Sequence, residues 1–91
     1  MKFSDLNAGS KYVVQGYDGP INSKYGFNYF LKVSEINSDA MFEMWSTNLI
    51  SEYISNVNPT AKFTFTVHER DNTKYPMIDG YKKVRKFTML A

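Results

Sequence analysis

The residues with the most distinctive chemistry lie in one stretch, Ser23-Lys24-Tyr25-Gly26-Phe27-Asn28-Tyr29-Phe30-Leu31-Lys32-Val33. The pattern is a tight connection opening a strand that carries aromatic side chains on both faces. A half-buried sheet needs bulky apolar groups on one face only, so rings on the other face require their own explanation. Flat rings beside lysines on the open side of a small curled sheet suit the stacking of nucleic-acid bases. Phe30 is the first candidate. Strand alternation turns it away from Phe27, Tyr29, Leu31 and Val33, the better core set, and flanks it with Asn28 and Lys32. Each base stacked on such a ring is worth about 1–3 kcal/mol. The plainer role for Phe30 is packing against a loop or a second subunit.

Tyr25 and Phe27 sit at the loop–strand junction, where either ring can stack a base or cap the core; Phe27 fits the core better. Trp45 shares its strand face with Met41 and Glu43, which places it outside, where stacking competes with a role as anchor for the following helix. Tyr12, Tyr17, Tyr75 and Tyr81 are amphipathic rings suited to a wet face, although at least two of the four are expected to be structural. The basic set Lys74, Lys82, Lys83, Arg85 and Lys86 can neutralise backbone phosphates near the last hairpin, with Lys24 and Lys32 across the groove. Lysines more often simply cover surface.

Other chemistries find little material. Cysteine is absent, which excludes disulfides, thiolate metal sites and cysteine nucleophiles. His68 is the only histidine, so a role in solvent or in supporting a hairpin is expected of it. Glu69, Asp71 and Asp79 fit no calcium loop, and Ser10, Ser46 and Ser55 have no base–orienter pair beyond that histidine. There is no glycine-rich phosphate loop of either standard spacing. The expectation is a protein without catalytic activity, metal or other cofactor.

The chain has 91 residues, 43% hydrophobic and 16% aromatic, which suits one domain spanning 1–91 with one modest core. Net charge is only +2, a weak general attraction for a polyanion. Its distribution says more. Residues 1–60 hold four lysines against six acids, and residues 61–91 hold seven cations against three acids. No run has the length and apolarity of a membrane span or a signal peptide, so an intracellular protein is expected, in the bacterial cytoplasm or, for a viral protein, the host cell.

The elements that must position these groups follow from period and punctuation. A first strand is expected over 11–17, with Gly16 marking a bulge and Asp18-Gly19-Pro20 its end. A second follows over about 27–36 and a short third over 41–45, with Phe42 and Met44 on one face. Leu49, Ile50, Tyr53, Ile54 and Val57 recur at helical spacing and predict a helix over 47–56, capped by Ser46 or Thr47 and stopped by Asn56, Asn58 and Pro59. Phe63, Phe65 and Val67 alternate through a fourth strand over 61–68. Asp71-Asn72-Thr73 belongs to the next loop, and a last, bent strand is expected from Met77 to Leu90. Three strands, one helix and two strands is the order of an all-β, five-stranded oligonucleotide-binding (OB-fold) barrel, with the helix between strands three and four.

The chain also resembles the small OB-fold single-stranded DNA-binding proteins of viruses and mobile genetic elements. The residues that carry the resemblance are Leu6 and Gly9 ahead of Lys11-Tyr12-Val13-Val14, then Lys24-Tyr25-Gly26 followed by Tyr29 and Leu31. Further along they are Trp45-Ser46 with Asn48, Leu49 and Tyr53-Ile54, then Pro59, Phe63–Val67 and Ile78-Asp79-Gly80-Tyr81. The resemblance implies binding of single-stranded DNA in replication or recombination, without catalysis. Such proteins often carry an acidic partner-recruiting tail, whereas this sequence ends in Lys86-Phe87-Thr88-Met89-Leu90-Ala91. RNA binding and a protein-interaction module stay open beside it, as does self-association into a homo-oligomer.

Overall fold

Alternation of Phe63, Phe65 and Val67, all buried, makes one strand the wall of the core. The computed structural model describes residues 2–23 and 26–81; Lys24, Tyr25, Lys82, Lys83, Arg85 and Lys86, and the strand expected beyond Tyr81, lie outside the described residues. The elements are β1 (Lys11–Ser23), β2 (Gly26–Glu35), β3 (Met41–Trp45), α1 (Asn48–Val57), β4 (Phe63–Arg70) and β5 (Thr73–Ile78). The strands form one five-stranded antiparallel sheet in the order β3-β2-β1-β4-β5. Among the described residues the chain is therefore mostly β, with one long helix between the third and fourth strands. Among the described residues, β3 and β5 are the sheet's two edges.

The inner face gathers Tyr12 and Val14 from β1, Tyr29, Leu31 and Val33 from β2, Met44, and the β4 residues, all buried. Tyr12 stacks on Phe65 with ring centroids 5.6 Å apart. α1 covers this core with Ile50 and Ile54, two of the five residues of the stripe legible in its spacing, whereas Val57, at its last turn, is exposed. Thr47 caps the helix by accepting from the Ile50 amide at 3.3 Å, and Asn58 ends it in the left-handed region at φ 51°. Buried Ser46 ties the sheet to the helix: its hydroxyl accepts from the Tyr29 amide at 2.9 Å and pairs with the Ser51 hydroxyl. Among the described residues, no helix is long and apolar enough to cross a membrane.

Three expectations need correction. β1 does not end at Tyr17 but runs on to Ser23, because its pairing with β2 resumes at Ile21↔Asn28 after an irregularity between Asp18 and Ile21. Pro20, which has no amide to donate, sits inside that irregularity. Gly19 is required beside it: its φ is 132°, and a Cβ there would lie 3.1 Å from the Asn28 carbonyl. Phe27 is not in the core but 66% exposed. Its parity matches Tyr29, yet β3 begins pairing only at Phe30↔Trp45 and β4 reaches β1 only over Lys11–Val14, so among the described residues no neighbouring strand extends to the end of this hairpin.

The third correction concerns β5, which starts at Thr73 rather than Met77. Asp71 and Asn72 alone make the turn, with φ of 52° and 64°, closed by the pair Arg70↔Thr73. Two positive φ values are what a two-residue hairpin of matching twist demands. Pro76 is tolerated within the strand because β5 is an edge.

Candidate nucleic-acid interface

Leu31↔Met44 and Val33↔Phe42 pair on the inner side of β2 and β3. Alternation then sends the intervening pairs, Phe30↔Trp45, Lys32↔Glu43 and Ser34↔Met41, to the outer side. Phe30 and Trp45 meet edge to face, with centroids 5.1 Å apart and planes at 62°. Phe30 is half-buried and Trp45 is 49% exposed. In such a pair one ring lends only its edge, so flat aromatic surface stays open to solvent.

Lys32 is exposed next to this pair. Opposite it on β1 stands Gly16, at the expected bulge, where an added Cβ would meet nothing within 4 Å. The lysine's flank is thereby left open. Two carboxylates share the neighbourhood: Glu43 faces Lys32, and exposed Asp18 faces Phe30 across β1. The neighbourhood of the pair thus offers rings and one cation among acids. Five of the eleven lysines and arginines, Lys24, Lys82, Lys83, Arg85 and Lys86, lie outside the described residues.

The remaining candidates are dispersed. Lys74 has inner parity, and its ammonium donates to the carbonyls of Ser4 at 2.9 Å and Leu6 at 2.6 Å, tying the turn at Phe3–Asp5 to β5. Tyr81 packs edge-on against Tyr53 of α1 with centroids 4.9 Å apart, away from Phe30 in both sequence and element. Tyr12 is buried, and the Tyr17 hydroxyl donates to the Pro59 carbonyl at 2.8 Å. Of the four tyrosines weighed for a wet face, only Tyr75 is exposed on the outer side.

Two partners escaped the sequence reading. His68, in keeping with the hairpin-supporting role expected of it, stacks on Tyr75 across the β4–β5 hairpin, centroids 5.7 Å apart and planes at 23°. Asp79 accepts from the Thr64 hydroxyl and pairs with Lys11 at 3.0 Å, and those two contacts, Thr64 first, hold its carboxyl below the usual carboxylate range. Both depend on strand register, which only the signal of a two-residue Asp-Asn turn could have supplied. Among the described residues, no three histidines or carboxylates are grouped to hold a metal ion. No protein-family model matches this chain, and neither a curated protein nor a solved structure matches it.

Proposed function

We propose that this protein binds single-stranded DNA with little sequence preference, in replication or recombination, and that it does so inside the cell, as a small OB-fold barrel. The observation that carries the reading is the Phe30–Trp45 pair on the outer sheet face, Trp45 exposed and Phe30 half-buried, with Lys32 one pairing step away. Exposed aromatics on a sheet that has a complete core beneath them contribute little to folding, and every base offers a π face to stack on them. The strand order and the helix between β3 and β4 are compatible with that barrel type. Phosphates would be met by Lys32 and by the cations of the Lys24 and 82–86 segments. Such a binder needs no reacting group.

The test uses the single tryptophan, Trp45. Oligo-dT, oligo-U or duplex DNA is added at low salt and the indole fluorescence followed. Quenching by oligo-dT in preference to duplex supports the proposal, and stronger quenching by oligo-U redirects it to RNA. No response to any of the three overturns it. That outcome favours a protein-interaction module, for which exposed Ile21 and Phe27 on the β1–β2 hairpin and Met41 on edge strand β3 are the motivating surface.

A further inference from the structure

The outer face of the sheet carries a second ring pair. Register connects the two unambiguously: Val13↔Ser34 and Val13↔Thr64 place Ser34 and Thr64 on one side, and alternation adds Phe30 and Lys32 on β2 and Thr66 and His68 on β4. His68↔Tyr75 and Thr66↔Met77 extend that side onto β5. The pairs lie well apart along β1, since Phe30 lies opposite Asp18 in mid-strand, whereas Val67, next to His68, accepts from the Gly9 amide just before the strand begins. One base cannot touch both.

Resting on the reading above, we infer that His68 and Tyr75 are a second base-stacking station for the same unpaired strand. The two rings lie nearly parallel, and Tyr75 is 39% exposed although it belongs to an edge strand. A groove beside them is lined by Thr66, His68, Met77, Asp79 and Tyr81. The Met77 side chain is also exposed. Thr66 brings a hydroxyl to the lining of this groove, where it could meet a base edge. Between the two stations the face carries Lys32 and Ser34 on β2, Val13 on β1 and Thr64 and Thr66 on β4, with Lys11 opposite Thr66 and paired with Asp79. Bases would stack at the two ring pairs, and Lys32 on the path between them would meet a phosphate of the same strand.

The experiment titrates oligo-dT of about 4 and about 16 nucleotides, the range that one sheet of this kind covers. Wild type, Tyr75→Leu, Tyr75→Phe and Phe30→Ala are compared by Trp45 fluorescence, with thermal melting as the control for folding. Tyr75→Leu is expected to weaken the long oligonucleotide by at least about fivefold, the low end of one lost stack. The short oligonucleotide, read at Trp45, is expected to be unaffected by it. Tyr75→Phe, which keeps the ring, should behave as wild type. If Tyr75→Leu does not fold, His68→Ala carries the same expectation. Wild-type affinity of Tyr75→Leu for the long oligonucleotide, alongside weakened Phe30→Ala, overturns the second station and leaves the first standing. No quenching of the wild type by either oligonucleotide overturns both.

Discussion

Glu43 stands directly across the β2–β3 ladder from Lys32, one outward step from the Phe30–Trp45 rings. A carboxylate at that point repels the phosphates that the lysine would attract. Replacing it should therefore help binding, an unusual direction for a surface substitution. Glu43→Gln is expected to tighten oligo-dT binding by about two- to fivefold at low salt, the size of one exposed charge interaction. The gain should fade at high salt as screening shortens the reach of the charge. Fluorescence titration at two salt concentrations checks both halves, and weaker binding by Glu43→Gln would show that phosphates do not pass this point.

Phe30 and Phe65 lie on opposite sides of the same sheet, which allows function and folding to be separated. Phe30→Ala should lower oligo-dT affinity by about 1–3 kcal/mol with little change in urea midpoint. Phe65→Ala empties a fully buried position and should cost about 3–5 kcal/mol of folding free energy. Equal losses of stability from the two would contradict the assignment of inner and outer faces.

The Asp79 cluster predicts an acid-sensitive stability. Contacts with Thr64 and Lys11 depress the folded-state carboxyl below its unfolded value. The stabilisation is then present above the unfolded value of about 3.9 and is lost as pH falls through the lower folded one. Asp79→Asn should be less stable than wild type near neutrality, and the difference should close on acidification below the ordinary carboxylate range. Urea melts across that span measure it; a gap that widens toward acid would reverse the sign and refute the assignment. The carboxylate is about half exposed (48%), so solvent screening keeps the effect small.

Cations outside the described residues outnumber the one next to the ring pair, so the salt dependence of binding should follow them. Joint replacement of Lys82, Lys83, Arg85 and Lys86 by glutamine is expected to flatten the slope of log affinity against log salt, by up to about 3 if each cation meets a phosphate. The Trp45 quenching amplitude should persist, because the rings remain. An unchanged slope would remove this segment from the interface.

The parts of the fold that were legible are those in which neighbours repeat the same instruction. In β4, period-two alternation is unbroken through Phe63, Phe65 and Val67, and in α1 the stripe of Leu49, Ile50, Tyr53, Ile54 and Val57, of which Val57 is exposed, agrees with a capping threonine and a terminating Asn-Pro. β3 keeps its expected 41–45 bounds for the same reason, turn residues on one side and a cap on the other. Phe27 was misplaced because parity says which way a side chain points, not whether anything lies over it. The start of β5 was missed because Asp71-Asn72 achieves two positive φ values without glycine, and Pro76 argues locally against a strand. Of the candidate interface, the outward parity of Phe30 and Trp45 was readable from the chain, whereas their contact required the β2–β3 register. The partners of Lys74 are carbonyls nearly the whole chain away, which no local pattern encodes.

The seam between β1 and β4 consists of four pairs, Lys11↔Thr66 through Val14↔Phe63, and among the described residues it is the one strand ladder that joins the strands before α1 to those after it. Everything else in the sheet is a hairpin between sequence neighbours, quick to form by itself. Assembly of this molecule therefore becomes a question of timing: two prefabricated halves wait on a docking event between distant segments, whose entropic barrier limits the rate. Truncating Val14 should accordingly slow refolding in stopped-flow mixing, whereas truncating Met41 at the rim should leave the refolding rate unaltered.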